Sequence, residues 1–307
     1  MIEIVMATYN GEKYIEEQLQ SIINQTYTDW RLIISDDCSR DRTVEILKRY
    51  QKSHSEKIIV HENSIPSGSA KNNFYNLLDY TTSEYVMLSD QDDVWKPNKI
   101  ALTYEKMRQM QKEYGRDIPL LVHTDLCVVD DKLETINGSL FSMQQMDYTR
   151  NKLNNLLIEN VVTGCTVMVN RSLLNMVYQK PKYSIMHDMW LALIAASFGK
   201  IGFVNSSTVF YRQHAGNLVG AKETCGMKYI LDKVFSRKKI HESLLAQYSQ
   251  AYEFLQMYFT YIDKKNLCML CEYAAIPDNN IFYKIVSLTK HKLLKKKNIK
   301  KIGQILF

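Results

Sequence analysis

Three carboxylates stand within four residues in Ser89-Asp90-Gln91-Asp92-Asp93. The segment follows Glu84-Tyr85-Val86-Met87-Leu88, an apolar run that reads as a buried strand. It precedes Val94-Trp95-Lys96-Pro97, where a proline ends the run. Carboxylates this close repel one another, and the cluster is costly unless a cation compensates it. Hard divalent metals take oxygen ligands, and Mg²⁺ commonly combines one or two carboxylates with substrate phosphates. The residues therefore imply a metal and diphosphate site at the end of a sheet strand.

Such a site needs a frame, and the first 125 residues supply an alternating one. Ile2 to Ala7, Leu32 to Ile34, Ile58 to Val60, Tyr85 to Leu88 and Leu120 to His123 read as strands. Between them, Ile15, Leu19, Ile22 and Ile23 recur at helical spacing, as do residues of Thr43–Tyr50 and Ala70–Asp79. Alternation of this kind argues an α/β fold, a mostly parallel sheet flanked by helices. Ligands of such sheets bind beyond the carboxyl ends of the strands. Thr8-Tyr9-Asn10 follows the first strand, Asp36-Asp37 the second and the acidic cluster the fourth. All three are expected on one rim. Further on, Val161 to Val169 reads as a strand interrupted by Gly164, His187 to Phe198 as a helix, and Ser207 to Tyr211 as a strand. Beyond Gly226 the pattern is helical, with Leu244, Tyr248, Tyr252, Leu255, Phe259 and Ile262 expected in a core.

Composition bounds the rest. The 307 residues are 46% hydrophobic and 23% charged, which suits one large globular domain or two modest ones. No signal peptide is visible, and no apolar run reaches the length of a membrane span. Six scattered cysteines form no disulfide framework, so a reducing cytosol is expected. Cys268 and Cys271 are expected on a buried helix face. Charge is uneven: residues 226–307 carry +9 and the rest −3. A polybasic end can meet an anionic membrane or nucleic acid. Nucleic acid would leave the acidic cluster unexplained and is not expected.

The ordered motifs Ala7-Thr8-Tyr9-Asn10, Ser21–Tyr27, Ser35-Asp36-Asp37-Cys38-Ser39-Arg40-Asp41 and Asp90-Gln91-Asp92-Asp93 with Pro97 resemble the family 2 glycosyltransferases. The resemblance implies a GT-A fold. His187–Leu193, Tyr211-Arg212-Gln213-His214 and Asn217–Ala221 are similar to bacterial rhamnosyltransferases of cell-wall and capsular polysaccharide synthesis. The implied organisation is a transferase domain over 1–225, with a nucleotide half 1–125 and an acceptor half 126–225. A helical, basic extension follows over 226–307. The resemblance assigns Asp92, Asp90 and His214 to Mg²⁺ or Mn²⁺, with Asp93 near the sugar. It assigns Asp37 to a pyrimidine base, Thr8, Tyr9 and Asn10 to base and ribose, and Lys71 and Arg212 to the diphosphate. Asp188 is the implied catalytic base, with His187 where the family carries Glu. Thr163-Gly164-Cys165 is expected to border the acceptor and His123-Thr124-Asp125 to face the sugar.

The implied reaction is inverting, metal-dependent transfer of a sugar, foremost L-rhamnose from dTDP-L-rhamnose, to a polysaccharide or lipid-linked glycan. The implied place is the cytoplasm, with contact to the inner membrane face through the basic end. UDP-hexose or UDP-N-acetylhexosamine donors are the alternative within the family. A non-catalytic sugar-nucleotide-binding subunit is the alternative outside it. A nucleotidyltransferase would need a Gly-rich, Arg-bearing loop after the first strand, which Thr8-Tyr9-Asn10-Gly11-Glu12 lacks.

Overall fold

The computed structural model describes residues 1–214 and 237–306. Asn217–Ala221, Cys225 and the expected boundary at 225 lie outside the described residues. Strands are β1 (Ile2–Thr8), β2 (Trp30–Asp36), β3 (Ile58–Glu62), β4 (Tyr85–Ser89), β5 (Val94–Trp95), β6 (Leu120–Val129), β7 (Thr135–Asn137), β8 (Met168–Asn170) and β9 (Lys200–Arg212). They form one sheet in the order β3-β2-β1-β4-β8-β6-β9-β5, with β7 on β6. β3, β2, β1 and β4 are parallel, as are β6 and β9. β8 runs antiparallel between β4 and β6, and β5 antiparallel to β9 at the edge.

The register brings the motifs to one rim. Thr8 pairs with Asp36 across β1 and β2, and Met6 with Ser89 across β1 and β4. The chain therefore leaves three neighbouring strands at one level, carrying Thr8–Asn10, Asp36–Asp37 and Asp90–Asp93 together.

Helices cover both faces. They are α1 (Ile15–Ile23), α2 (Thr43–Ser53), α3 (Ala70–Asp79), α4 (Lys99–Tyr114), α5 (Leu140–Gln144), α6 (Leu153–Leu156), α7 (Arg171–Asn175) and α8 (His187–Phe198). The C-terminal helices are α9 (Arg237–Tyr258), α10 (Lys264–Ala274), α11 (Ile281–Lys290) and α12 (Asn298–Leu306). Side chains alternate across a strand, so β1 feeds two cores. Ile4 and Met6 pack with Ile15 and Leu47 on one face. Val5 packs with Phe74 and Leu191 on the other. α8 is buried almost all round, because the sheet lies beneath it and α9 above. Trp190 meets Phe254 edge-on at 5.2 Å between ring centroids. A helix apolar on every side belongs in such a layer.

Several expectations change. Val161–Val169 is not one strand: Gly164–Thr166 forms a 3₁₀ turn and only Met168–Asn170 pairs. The α9 stripe also splits. Leu244, Tyr248, Leu255 and Ile262 are buried, whereas Tyr252 and Phe259 are exposed. They fall out of phase, and Ala251, Phe254 and Tyr258 take the inner positions. Cys268 and Cys271 are exposed, because α10 buries Met269, Leu270 and Tyr273 instead. His123 and Asp125 do not face a sugar. His123 is fully buried against Phe141 and Phe203. Asp125 accepts from Ser139 Oγ at 2.5 Å and from Leu140 N at 3.1 Å, which anchors the start of α5.

Candidate active site

The rim is tied together by its own loops. Gln91 grips the Tyr9 backbone twice: its Oε1 accepts from Tyr9 N at 2.9 Å and its Nε2 donates to Tyr9 O at 3.0 Å. Gly11 is needed there, since a Cβ would lie 2.4 Å from Gln91 Oε1. The Asn10 amide donates to Ser39 Oγ at 2.8 Å, and Asn10 Oδ1 accepts from Arg40 N at 2.8 Å. Thr8 is buried and donates to Asp36 Oδ2 at 2.9 Å, while Asp36 Oδ1 accepts from Ser39 N at 2.8 Å. Thr8 and Asp36 thus fix the turn after β2, and the exposed Tyr9 ring lies beside it.

Asp37 occupies the adjacent corner. Its carboxylate accepts from Asn63 Nδ2 at 2.9 Å, Ser67 N at 2.6 Å and Ser67 Oγ at 2.8 Å. A carboxylate offers about four acceptor positions, so one remains for a ligand donor. α3 starts immediately beyond, capped by Ser69 Oγ on Asn72 N at 3.2 Å. Lys71 on its first turn donates to Ser184 O at 2.6 Å and lines an open groove with Ser67, Lys180 and Lys182.

The acidic loop carries unbalanced charge. Burial, then the charges of Asp92 and Asp188, push the Asp90 carboxyl up to about 7. Burial and then the charges of Asp92 and Asp90 hold Asp93 well above its usual range. Lys99, wholly buried on α4, is pushed down to about 8 by burial, against the opposing pull of Cys165, Asp93 and Asp90. Asp92 faces His214, whose Nε2 lies 2.8 Å from Asp92 Oδ2. Asp90 and Asp93 instead group with Cys165, their ligand atoms all within 4.8 Å of one another.

Arg212 directs its guanidinium into the protein from all three nitrogens. Its side chain is almost fully buried, with Nε on Asp92 O at 3.0 Å, Nη1 on Asp131 O at 2.6 Å and Nη2 on Glu17. Its amide donates to Asp93 Oδ1 at 3.2 Å. The reason is its place at the end of β9, directly behind the acidic loop. Arg212 therefore shapes that loop.

Asp188 is the second residue of α8, where Met186 stands at the N-cap, so it is not a capping residue. Burial raises its carboxyl to about 6, opposed by backbone N–H bonds from Met189 and Gly164. The Met189 bond measures 2.8 Å, and Asn160 Nδ2 approaches at 3.5 Å. Beside it, burial pushes His187 down to about 3, and the ring stacks on Phe74 at 4.0 Å. His187 is thus a neutral wall. Gly164 leaves the room that His187 needs, since a Cβ there would sit 3.2 Å from His187 Nε2.

A carboxyl near neutrality, an acidic loop whose Asp90 feels its charge and a carboxylate corner at Asp37 held by Asn63 and Ser67 lie beyond the ends of the strands. The glycosyl transferase family 2 model matches residues 3–175, more than half of the chain. The chain is a family 2 glycosyltransferase. It is 30% identical over 239 residues to the dTDP-rhamnosyl transferase RfbG of Shigella flexneri, covering 73% of this chain and 76% of that protein. Its fold is similar to that of S. aureus TarS 1–349, solved with UDP-GlcNAc. The TM-score there is 0.56 at 14% identity, over 99% of this chain and 89% of that one. It is similar also to a mannosyltransferase from Pyrobaculum calidifontis, solved with GDP-Man and Mn²⁺. The TM-score is 0.53 at 15% identity, over 99% and 86% of the two chains. The fold is GT-A.

The donor set of this glycosyltransferase fits a hard divalent cation. Asp92 and His214 form a ready carboxylate–imidazole pair, and Asp90 shares its unbalanced charge with Asp93. Cys165 does not join as a thiolate, because burial holds its thiol well above the usual range. Sequence reasoning passed over Gln91, Asn160, Lys99 and the Tyr14–Asp131 pair. Tyr14 donates to Asp131, lies 4.7 Å from the His214 ring and carries Arg212 over its face. Only Gln91 had a signal, its position inside the acidic motif.

Proposed function

We propose that this glycosyltransferase is metal-dependent and inverting. In this reading it moves L-rhamnose from dTDP-L-rhamnose onto a bacterial polysaccharide or lipid-linked glycan acceptor. The observation that carries the reading is Asp188, a carboxyl raised to about 6 whose charge is felt by Asp90 on the acidic loop. A general base works best when its pKa lies near the working pH. Asp188 takes the proton of the acceptor hydroxyl as that oxygen bonds to the anomeric carbon. The bond to the diphosphate oxygen breaks on the opposite face, so configuration inverts and dTDP leaves. The proton then passes from Asp188 to solvent.

Asp92 and His214, with Asp90, would hold Mg²⁺ or Mn²⁺, and the bound ion would neutralise charge on the departing diphosphate. Asp37 accepts the N3–H of a thymine or uracil ring. Tyr9 and Asn10 border the nucleoside, and Thr8 supports them through Asp36. Lys71 draws the diphosphate toward the start of α3, while Asp93 and Arg212 position the loop. In this reading residues 1–225 are the transferase unit, with nucleotide half 1–125 and acceptor half 126–225, and 226–307 are its basic C-terminal extension. The enzyme works at the inner face of the cell membrane, held there in part by its basic end.

The rhamnosyl relative supports the donor assignment. Competition for release of nucleoside diphosphate tests it, with dTDP-L-rhamnose set against UDP-glucose, UDP-galactose and UDP-GlcNAc. Preference for dTDP-L-rhamnose is expected; preference for a UDP-hexose would transfer the assignment to that sugar.

A further inference from the structure

α11 is turned inside out. Its buried residues are Lys284, Ser287 and Leu288. Ile281, Phe282, Ile285 and Val286 are 46, 76, 41 and 62% exposed. At 3.6 residues per turn these four, with exposed Thr289 and Lys290, occupy one continuous half of the helix surface. A helix that faces water carries the reverse pattern. The inward side is not cheap either, since burial holds the Lys284 ammonium below its ordinary range. The apolar face continues onto neighbouring helices. Ile281 lines one groove with Leu245 of α9 and Leu306 of α12, and both of those are exposed as well. Contiguous exposed apolar surface of this kind marks an interaction site.

Charge tells which partner fits. From Asn280 to Phe307 the chain has eight lysines and no acidic residue; Lys290, Lys296 and Lys300 pair with Glu272, Asp147 and Glu159, and the end stays basic after these pairs. Lys292, directly after α11, is exposed. Among the described residues no helix is long and apolar enough to cross a membrane, so α11 can lie on a bilayer and not span it. We propose that α11 is an interfacial helix that docks the enzyme on an anionic lipid bilayer. Ile281, Phe282, Ile285 and Val286 enter the headgroup boundary, and exposed Lys292, with the net positive charge of the end, engages anionic headgroups. A second copy of the chain fits less well, because a symmetric contact would set one lysine-rich end against another. This inference gives the membrane contact proposed above its anchoring element and rests on that reading.

The test is co-sedimentation of the full chain with phosphatidylcholine vesicles, plain or with one-third phosphatidylglycerol. Phe282→Ser/Val286→Ser is run in parallel. Both substituted residues are exposed, so the fold is unaffected, and sugar-nucleotide binding in the same samples checks this. Expected are binding to the anionic vesicles that weakens with added salt, at least tenfold weaker binding to neutral vesicles, and at least tenfold weaker anionic binding by the double variant. A double variant that binds as well as the wild type overturns the proposal. So does a wild-type chain that takes up donor and ignores both vesicles. A concentration-dependent dimer that the double variant abolishes would also overturn it, giving the face to a second copy. Loss of donor binding alone counts against the transferase reading and leaves the helix assignment standing.

Discussion

Asp188→Asn should make the enzyme inactive and more stable at once. The structure holds the Asp188 carboxyl at about 6, above an ordinary value of 3.8. A carboxyl whose folded pKa is raised binds more protons folded than unfolded between those two values. Its contribution to stability therefore falls as pH rises through that window. At 1.36 kcal/mol per unit, the cost at pH 7.5 is about 3 kcal/mol, and at pH 5 about half of that. Asn keeps an oxygen for the Met189 amide and carries no charge, so most of this cost disappears. The charge that Asp188 imposes on Asp90 disappears with it. Thermal unfolding of both proteins at pH 5 and 7.5 reads the effect. The variant should melt several degrees higher at pH 7.5, with a smaller gap at pH 5. Turnover should fall by about 10²–10⁴-fold, the usual share of a general base. In the wild type, kcat/KM should rise with pH through an inflection near 6. A variant less stable than wild type at pH 7.5, or one that keeps its turnover, would refute the reasoning.

Three further outcomes are expected. Arg212→Ala should cost about 2 kcal/mol or more, because it empties the space of a buried side chain and removes its hydrogen bonds to the Asp92 and Asp131 carbonyls; chemical unfolding measures it, and an unchanged midpoint would contradict the role. His123→Phe should keep donor binding within about twofold, since burial holds this ring neutral among Phe141 and Phe203; tenfold weaker binding by calorimetry would return His123 to the sugar site. Trp190→Ala should destabilise by about 3–5 kcal/mol and loosen α9 with the sheet, because the indole packs on Phe254 and Tyr258; hydrogen exchange of α9 that stays unchanged would show two independent cores.

The rim was legible because strand, turn and carboxylate follow one another in sequence. Ile2–Thr8, Trp30–Asp36 and Tyr85–Ser89 each carry an apolar run that ends at a polar motif. Parallel pairing then places the motifs side by side. The antiparallel insertion of β8 was hidden, since its three residues follow a 3₁₀ turn inside a longer apolar stretch. α4 was missed because its buried face includes Lys99, Thr103 and Gln111, which mask the helical period. The burial of Arg212 and His123 depends on contacts far away in sequence, such as Glu17 and Phe203, and no local pattern reports those. Arg212 next to a histidine reads as a phosphate ligand until the acidic loop is seen lying over it. The outward face of α11 was likewise hidden, because an apolar stripe looks the same whether it meets a core or a bilayer.

The central claim is that the acidic loop binds a metal-bridged sugar nucleotide beside an independent base. Titration calorimetry of dTDP-L-rhamnose with and without Mn²⁺, on wild type, Asp92→Ala and Asp188→Asn, tests it most directly. Mn²⁺-dependent binding that is lost in Asp92→Ala and retained in Asp188→Asn is the predicted result. Binding that ignores Mn²⁺, or that survives Asp92→Ala and fails in Asp188→Asn, would contradict it.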